Sequence, residues 1–118
     1  MSGSGEFIRG FTEYILLSIL EKFDSYGYEM TKIIETASQK VFSLQEATLY
    51  TALKRMSDEE LITSYLAKNK KGMSRRLYTI TSKGKETLKE FRQDWTKIHH
   101  NLQTLVAGEF HYERDESS

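Results

Sequence analysis

The chain contains no cysteine. That excludes a disulfide framework and thiolate-based metal sites or catalysis, and is compatible with a reducing cytosol. It also lacks net charge, since 17 Lys and Arg balance 17 Asp and Glu. Nucleic-acid binding therefore gets no support from the total and must be argued from local clustering. No apolar run approaches the length of a membrane span, and neither a signal peptide nor a membrane partner is expected, which points to a cytoplasmic protein. There is no nucleophile elbow, no Gly-rich phosphate loop and no clustered acid pair in an evident pocket, so an enzyme is not expected. The adjacent His99 and His100 point about 100° apart on a helix, and His111 falls in the tail, so no metal or cofactor site is expected.

What is present fits one domain. The 118 residues, 38% of them hydrophobic, allow a modest core that needs a partner surface as well. The Gly/Ser-rich opening MSGSGEF, residues 1–7, reads as an appended expression remnant or a disordered segment and is set outside the fold. The strongest local signal is SLQEATLYTALKRMSDEELI, from Ser43 to Ile62. Ser43 and Glu46 have the spacing of a capping box, which predicts a helix beginning at Ser43. Leu44, Leu49, Leu53 and Met56 fall on one side, with Tyr50 and Leu61 at its edge, and this side faces a core. The opposite side carries Ala47, Thr48, Thr51 and Arg55, flanked by Gln45, Ala52 and Lys54. Small, hydrogen-bonding and cationic side chains on one face suit a helix lying in the major groove, where Arg, Gln and Thr read base edges and Lys holds phosphate. A plain solvated helix face would look the same, so the flanking segments decide.

Before this helix, apolar residues recur at helical spacing from Ile8 to Phe23, with Tyr14 and Leu17 widening the stripe, which predicts a helix buried on more than one side. Asp24, Ser25 and Gly27 break the pattern, and Met30, Ile33, Ile34 and Ala37 resume it as a shorter helix. Two helices joined by a short connection, the second with a polar outer face, make a helix-turn-helix. After it, ITSYLA and RRLYTIT read as strands joined by KNKKGMS, whose Asn69 and Gly72 suit a hairpin turn. Lys68, Lys70, Lys71, Arg75 and Arg76 lie in or beside this tip with no acidic residue between Lys68 and Arg76. A basic hairpin in that position is placed to touch phosphates beside the groove.

Thr81 or Ser82 can cap a last helix from about Lys83 to Ala107, which stops at Gly108. Leu88, Phe91, Trp95, Ile98, Leu102 and Leu105 alternate spacings of three and four, the seam of a coiled coil. A helix of about 35 Å outruns the small winged domain, so a second copy is expected to cover the seam, in a homodimer formed through this helix and the Ile8 to Phe23 helix. The fold expected is mainly α with a small β-hairpin: a winged helix-turn-helix over 8–82, a dimerisation helix over 83–107 and a disordered tail over 108–118.

LLSILEKFDSYGYEM, EATLYTALKRM and RRLYTITSKG, taken together, resemble the PadR family of winged helix-turn-helix transcriptional regulators from Phe7 to about Leu105. The YGYE turn (Tyr26 to Glu29), the TLY triplet (Thr48 to Tyr50) and the RRLYTIT strand occur in the family's order and spacing. The short C-terminal part resembles the small branch that includes multidrug-sensing regulators related to the lactococcal multidrug-resistance regulator. The resemblance implies a homodimer that binds a palindromic duplex operator and represses transcription. Two departures stand out. Glu60 occupies the position where family members commonly carry Gly, so a left-handed helix stop there carries a β-carbon penalty. Neutral overall charge makes DNA affinity depend on the wing.

Within this picture Gln45, Thr48, Tyr50, Thr51, Lys54 and Arg55, with the five hairpin cations, are the candidate DNA contacts. Arg55 and Thr48 are expected at bases or the groove wall. Trp95 is too bulky for a tight seam, and two indoles facing across a dimer axis, with Phe91, Ile98 and Tyr14 nearby, would leave a flat slot for a planar hydrophobic small molecule. The resembling multidrug regulators carry such a tryptophan at this position; aromatic packing without a ligand is the competing account. The competing function is a winged helix used only for protein contacts, which predicts no cation cluster on the wing.

Overall fold

The structure, a computed structural model, describes residues 11–115. Helix α1 spans Thr12–Lys22, and the expected start at Ile8 lies outside the described residues. Leu16, Leu17, Ile19 and Leu20 are buried, so the helix is covered on two sides as its broad stripe requires. Phe23, expected on that stripe, instead ends the helix with an extended backbone and is half exposed. Helix α2 spans Gly27–Ala37 and buries Met30 and Ile34. Its end is closed by hydrogen bonds from the Gln39 and Lys40 amides to the Thr36 and Glu35 carbonyls, with both residues at positive φ.

Helix α3 spans Glu46–Asp58, with Gln45 as N-cap and no side-chain cap. The capping box expected at Ser43 therefore does not form. The reason lies in the preceding segment: Phe42 and Leu44 both pack against the core while Val41, Ser43 and Gln45 are exposed. This period-two alternation demands extended chain, and two anchored apolar side chains outweigh one serine cap worth about 1 kcal/mol. From α3, Leu49, Leu53 and Met56 enter the core as expected, joined by Ala52, which belongs to the buried side and not to the outer face.

The α3 end has both bonds of a Schellman stop. The Leu61 amide donates to the Met56 carbonyl at 2.9 Å and the Glu60 amide to Ser57 at 3.0 Å, with Glu60 at φ +63°. The left-handed stop forms despite the β-carbon. It is braced by Lys83 Nζ donating to the Glu59 carbonyl and by the Thr81 hydroxyl donating to the carbonyl of Glu60.

Strands β1 (Ile62–Lys68) and β2 (Ser74–Ile80) pair antiparallel, with Ile62 opposite Ile80 and Lys68 opposite Ser74. The tip is closed by Asn69, whose side-chain oxygen accepts the Lys71 and Met73 amides, and by Gly72 at φ +79°. An isolated β-bridge adjoins the two-stranded sheet. Ser25, in the turn between α1 and α2, exchanges both backbone hydrogen bonds with Tyr78 at 3.2 and 2.8 Å. Its hydroxyl donates to Glu29 Oε1 at 2.7 Å. The turn that breaks the helical pattern is thus stitched to the base of the hairpin.

Helix α4 spans Ser82–Ala107. Thr81 caps it, its hydroxyl accepting the Gly84 amide at 3.0 Å, and Gly108 at φ +73° ends it. The chain divides into two compact units, one up to Leu88 and one from Lys89 onward. Leu88, expected to begin the dimer seam, is buried in the core of the first unit. In the second unit Phe91 and Trp95 are half-buried, whereas Ile98, Leu102 and Leu105 are exposed. Residues 109–115 form no helix or strand, and 116–118 lie outside the described residues.

Candidate nucleic-acid interface

The outer face of α3 is built as the apolar stripe dictates. With Leu49, Ala52, Leu53 and Met56 turned inward, Gln45, Ala47, Thr48, Thr51, Lys54 and Arg55 are left exposed. The Thr51 hydroxyl donates to the Ala47 carbonyl at 2.9 Å, which leaves its oxygen to accept from outside. Lys54 makes a bond of 3.3 Å to Asp58 one turn on, between two well-exposed side chains, a pair worth little in water. Arg55 is engaged more firmly. Its Nε and Nη2 donate to the two carboxylate oxygens of Glu13 on α1 at 3.1 and 2.9 Å. The guanidinium expected at the groove is thus held sideways by a residue that no local pattern around α3 could indicate.

On the hairpin Lys68, Lys70, Lys71, Arg75 and Arg76 are all exposed. The Arg76 guanidinium donates to the Ser64 hydroxyl across the two strands at 3.0 Å. Arg75 lies over the ring of Tyr26, 4.4 Å from its centroid, a cation–π contact that limits the freedom of a long side chain.

Between the start of α2, Tyr50 of α3 and strand β2 lies an open cleft of about 560 Å³, lined by Tyr26, Tyr28, Tyr50, Tyr78, Arg75 and Arg76. Its rim and base differ sharply: Tyr28 is 64% exposed and Tyr78 8%. Burial first, and the neighbouring Tyr50, raise the Tyr78 phenol above its ordinary value, while Arg76 pulls it down. Gly27 forms part of the lining, and Tyr50 lies so close to it that a β-carbon there would stand 2.6 Å from the phenol oxygen. Tyr50, one of the candidate DNA contacts, is seated against Gly27 on the first turn of α2. Tyr26, Tyr28 and Tyr78 carried no role in the sequence, although the YGYE turn and the RRLYTIT strand that hold them were its most specific motifs.

On β1, Tyr65 Oη donates to Asp24 Oδ2 at 2.5 Å. Hydrogen bonds from Tyr65 and then Thr79 hold the Asp24 carboxyl below the usual carboxylate range, and Asp24 in turn raises the Tyr65 phenol. Among the described residues no three potential metal-ligating side chains come together.

In the second unit Phe91 stacks on Trp95 at 5.8 Å between ring centroids, and Trp95 on His99 at 5.5 Å. His99 thus extends the aromatic row that includes two of the candidate ligand residues. Ile98 is exposed in the same unit. Tyr14 packs against the core of the first unit.

Residues 16–90 match the model of the transcriptional regulator PadR-like family. An uncharacterised protein of Lysinibacillus sphaericus is 32% identical over 103 residues, 87% of this chain and 94% of that one. The structure of a PadR-like transcriptional regulator from Bacillus cereus is similar at a TM-score of 0.76, with 31% identity over 86% of this chain and 96% of that one. The negative transcriptional regulator PadR of Bacillus subtilis is 28% identical over 83% of this chain, which spans only 52% of that protein. Its crystal structure in complex with operator DNA aligns at a TM-score of 0.61, with 26% identity over 68% of this chain and 46% of that one.

Proposed function

The chain belongs to the PadR-like family of transcriptional regulators, and from that membership we propose that it binds a pseudo-palindromic duplex operator as a cytoplasmic homodimer and represses transcription. The observation that carries the duplex contact is the juxtaposition, in one unit, of the exposed polar face of α3 with five exposed hairpin cations and no carboxylate between Lys68 and Arg76. Thr48 and Gln45 face the bases, Tyr50, Thr51 and Lys54 position the helix, and Lys68, Lys70 and Lys71 neutralise phosphate. Arg55 joins them on leaving Glu13. A winged helix used only for protein contacts has no need of the hairpin cations.

The dimer rests on Phe91, Trp95, Ile98, Leu102 and Leu105, an apolar seam with its last three members exposed in the single chain. Two-fold symmetry would set the recognition helices about 34 Å apart, one turn of duplex. The stacked Phe91, Trp95 and His99 rings support a second element of the proposal, a planar aromatic effector held at Trp95 with Phe91 and Ile98, that releases the operator.

Selection of bound duplexes from a random pool tests the duplex reading and returns the operator with its symmetry. Replacing Lys70 and Lys71 by Ala should weaken binding to all duplexes alike and lower the slope of log affinity against log salt by about 2. Wild-type protein that enriches no duplex, with affinity indifferent to salt, would leave the protein-contact function in its place.

A further inference from the structure

The cleft between the start of α2, Tyr50 and β2 has a chemistry of its own. Two guanidinium groups and four phenols line it, and no carboxylate is among its described lining residues. Such a set donates hydrogen bonds and carries positive charge, which selects an anion with several acceptor oxygens. The cleft is also rigid at its base. Ser25 and Tyr78 are tied by two backbone bonds, and Arg76 is held by Ser64. Its place matters as much: it is walled by the start of α2, by Tyr50 of the helix that would enter the groove and by β2 of the hairpin that would lie beside it, a position open to a phosphate of the bound duplex.

We propose that this cleft seats one backbone phosphodiester of each operator half-site, bound by Arg75 and Arg76 with the phenol donors, and that Tyr26 is the positioning residue that holds the Arg75 guanidinium in place. The inference rests on the duplex reading above and adds to it a defined phosphate seat and three tyrosines. The wide mouth, with Tyr28 exposed at the rim, suits a continuous strand passing over it and not an enclosed small molecule. A phenol held neutral at the base by burial, Tyr78, remains a donor to the anion across the physiological range.

The test uses the full chain and the duplex returned by selection, with single phosphates replaced in turn by uncharged methylphosphonate. One position per half-site should cost wild type about tenfold in affinity, the worth of a charge-assisted contact. That penalty should vanish in Arg75→Gln, shrink in Tyr26→Leu and persist in Tyr26→Phe, which keeps the ring under the guanidinium; thermal unfolding of each variant shows that it is folded. Retained duplex binding with no position whose penalty depends on Arg75 and Tyr26 overturns the phosphate seat while the duplex reading stands. Absence of duplex binding by wild type removes both. Inorganic phosphate bound without duplex and lost in Arg75→Gln, with every methylphosphonate penalty unchanged in that variant, assigns the cleft to a free anion and also overturns the proposal.

Discussion

Arg55 and Glu13 lie 42 residues apart and meet in a bidentate pair, Nε and Nη2 of one on the two oxygens of the other. The guanidinium side chain is 63% exposed and the carboxylate 26%, so the pair sits at the solvent edge and contributes at most about 1 kcal/mol to stability. Its consequence is for the proposed duplex contact, for which Arg55 would have to leave Glu13.

Glu13→Gln should therefore tighten duplex binding and steepen its salt dependence by about 1 in the log–log slope, with unfolding free energy changed by less than about 1 kcal/mol. Fluorescence anisotropy over a salt series reads both. Weaker binding would show instead that the pair holds α3 in its binding position.

Glu60 stands at φ +63°, where an L-residue costs about 1–2 kcal/mol. Glu60→Gly should stabilise the chain by about 0.5–1 kcal/mol, because relief of the β-carbon is partly offset by the freer unfolded backbone. Urea denaturation measures it. A loss of stability would mean that the Glu60 side chain makes a contribution its backbone geometry does not suggest.

Two glycines separate packing from positioning. A β-carbon on Gly84 would run into the Leu61 carbonyl oxygen and the Ile80 side chain, a collision with backbone at the braced stop of α3. Gly84→Ala should cost about 2–3 kcal/mol. At Gly27 the first obstacle is the far end of Tyr50, a side chain 45% exposed and free to swing. Gly27→Ala should thus cost under about 1.5 kcal/mol yet weaken duplex binding by displacing Tyr50.

The Asp24–Tyr65 bond makes stability fall at both ends of the pH scale. The Asp24 carboxyl is lowered, so its contribution is present above the unfolded carboxylate value of about 3.9 and is lost as pH falls through the folded value. The Tyr65 phenol is raised, so its contribution is present below the unfolded value of about 10 and is lost as pH rises through the folded one. Tyr65→Phe should flatten the stability profile in both windows and leave the middle parallel; thermal melts from acid to alkali would expose an unchanged profile.

Leu102, exposed on the second unit, belongs to the seam assigned to the dimer. Leu102→Asp should give monomer or aggregate in sedimentation, with operator affinity reduced at least about tenfold through loss of the second half-site. A wild-type chain that sediments as a monomer at micromolar concentration would remove the dimer from the proposal.

Sequence alone determined what depends on neighbours along the chain. The α3 stripe of Leu49, Leu53 and Met56, the Asn69–Gly72 turn, the Thr81 cap and the Gly108 stop are set by side-chain periodicity and by backbone angles that few residues accept. At Ser43 two local signals compete, and the burial of Phe42 and Leu44 in an extended segment prevails over the capping box. Tertiary structure decided whatever depended on distant partners: Leu88 went to the core and not the seam, Ala52 turned inward, Arg55 was taken by Glu13, and Ser25 was bridged to Tyr78. The cleft of tyrosines and arginines belongs to this second kind. Tyr26, Tyr50 and Arg75 are far apart in sequence, and they line one cleft only because packing of the hydrophobic core brings their elements together.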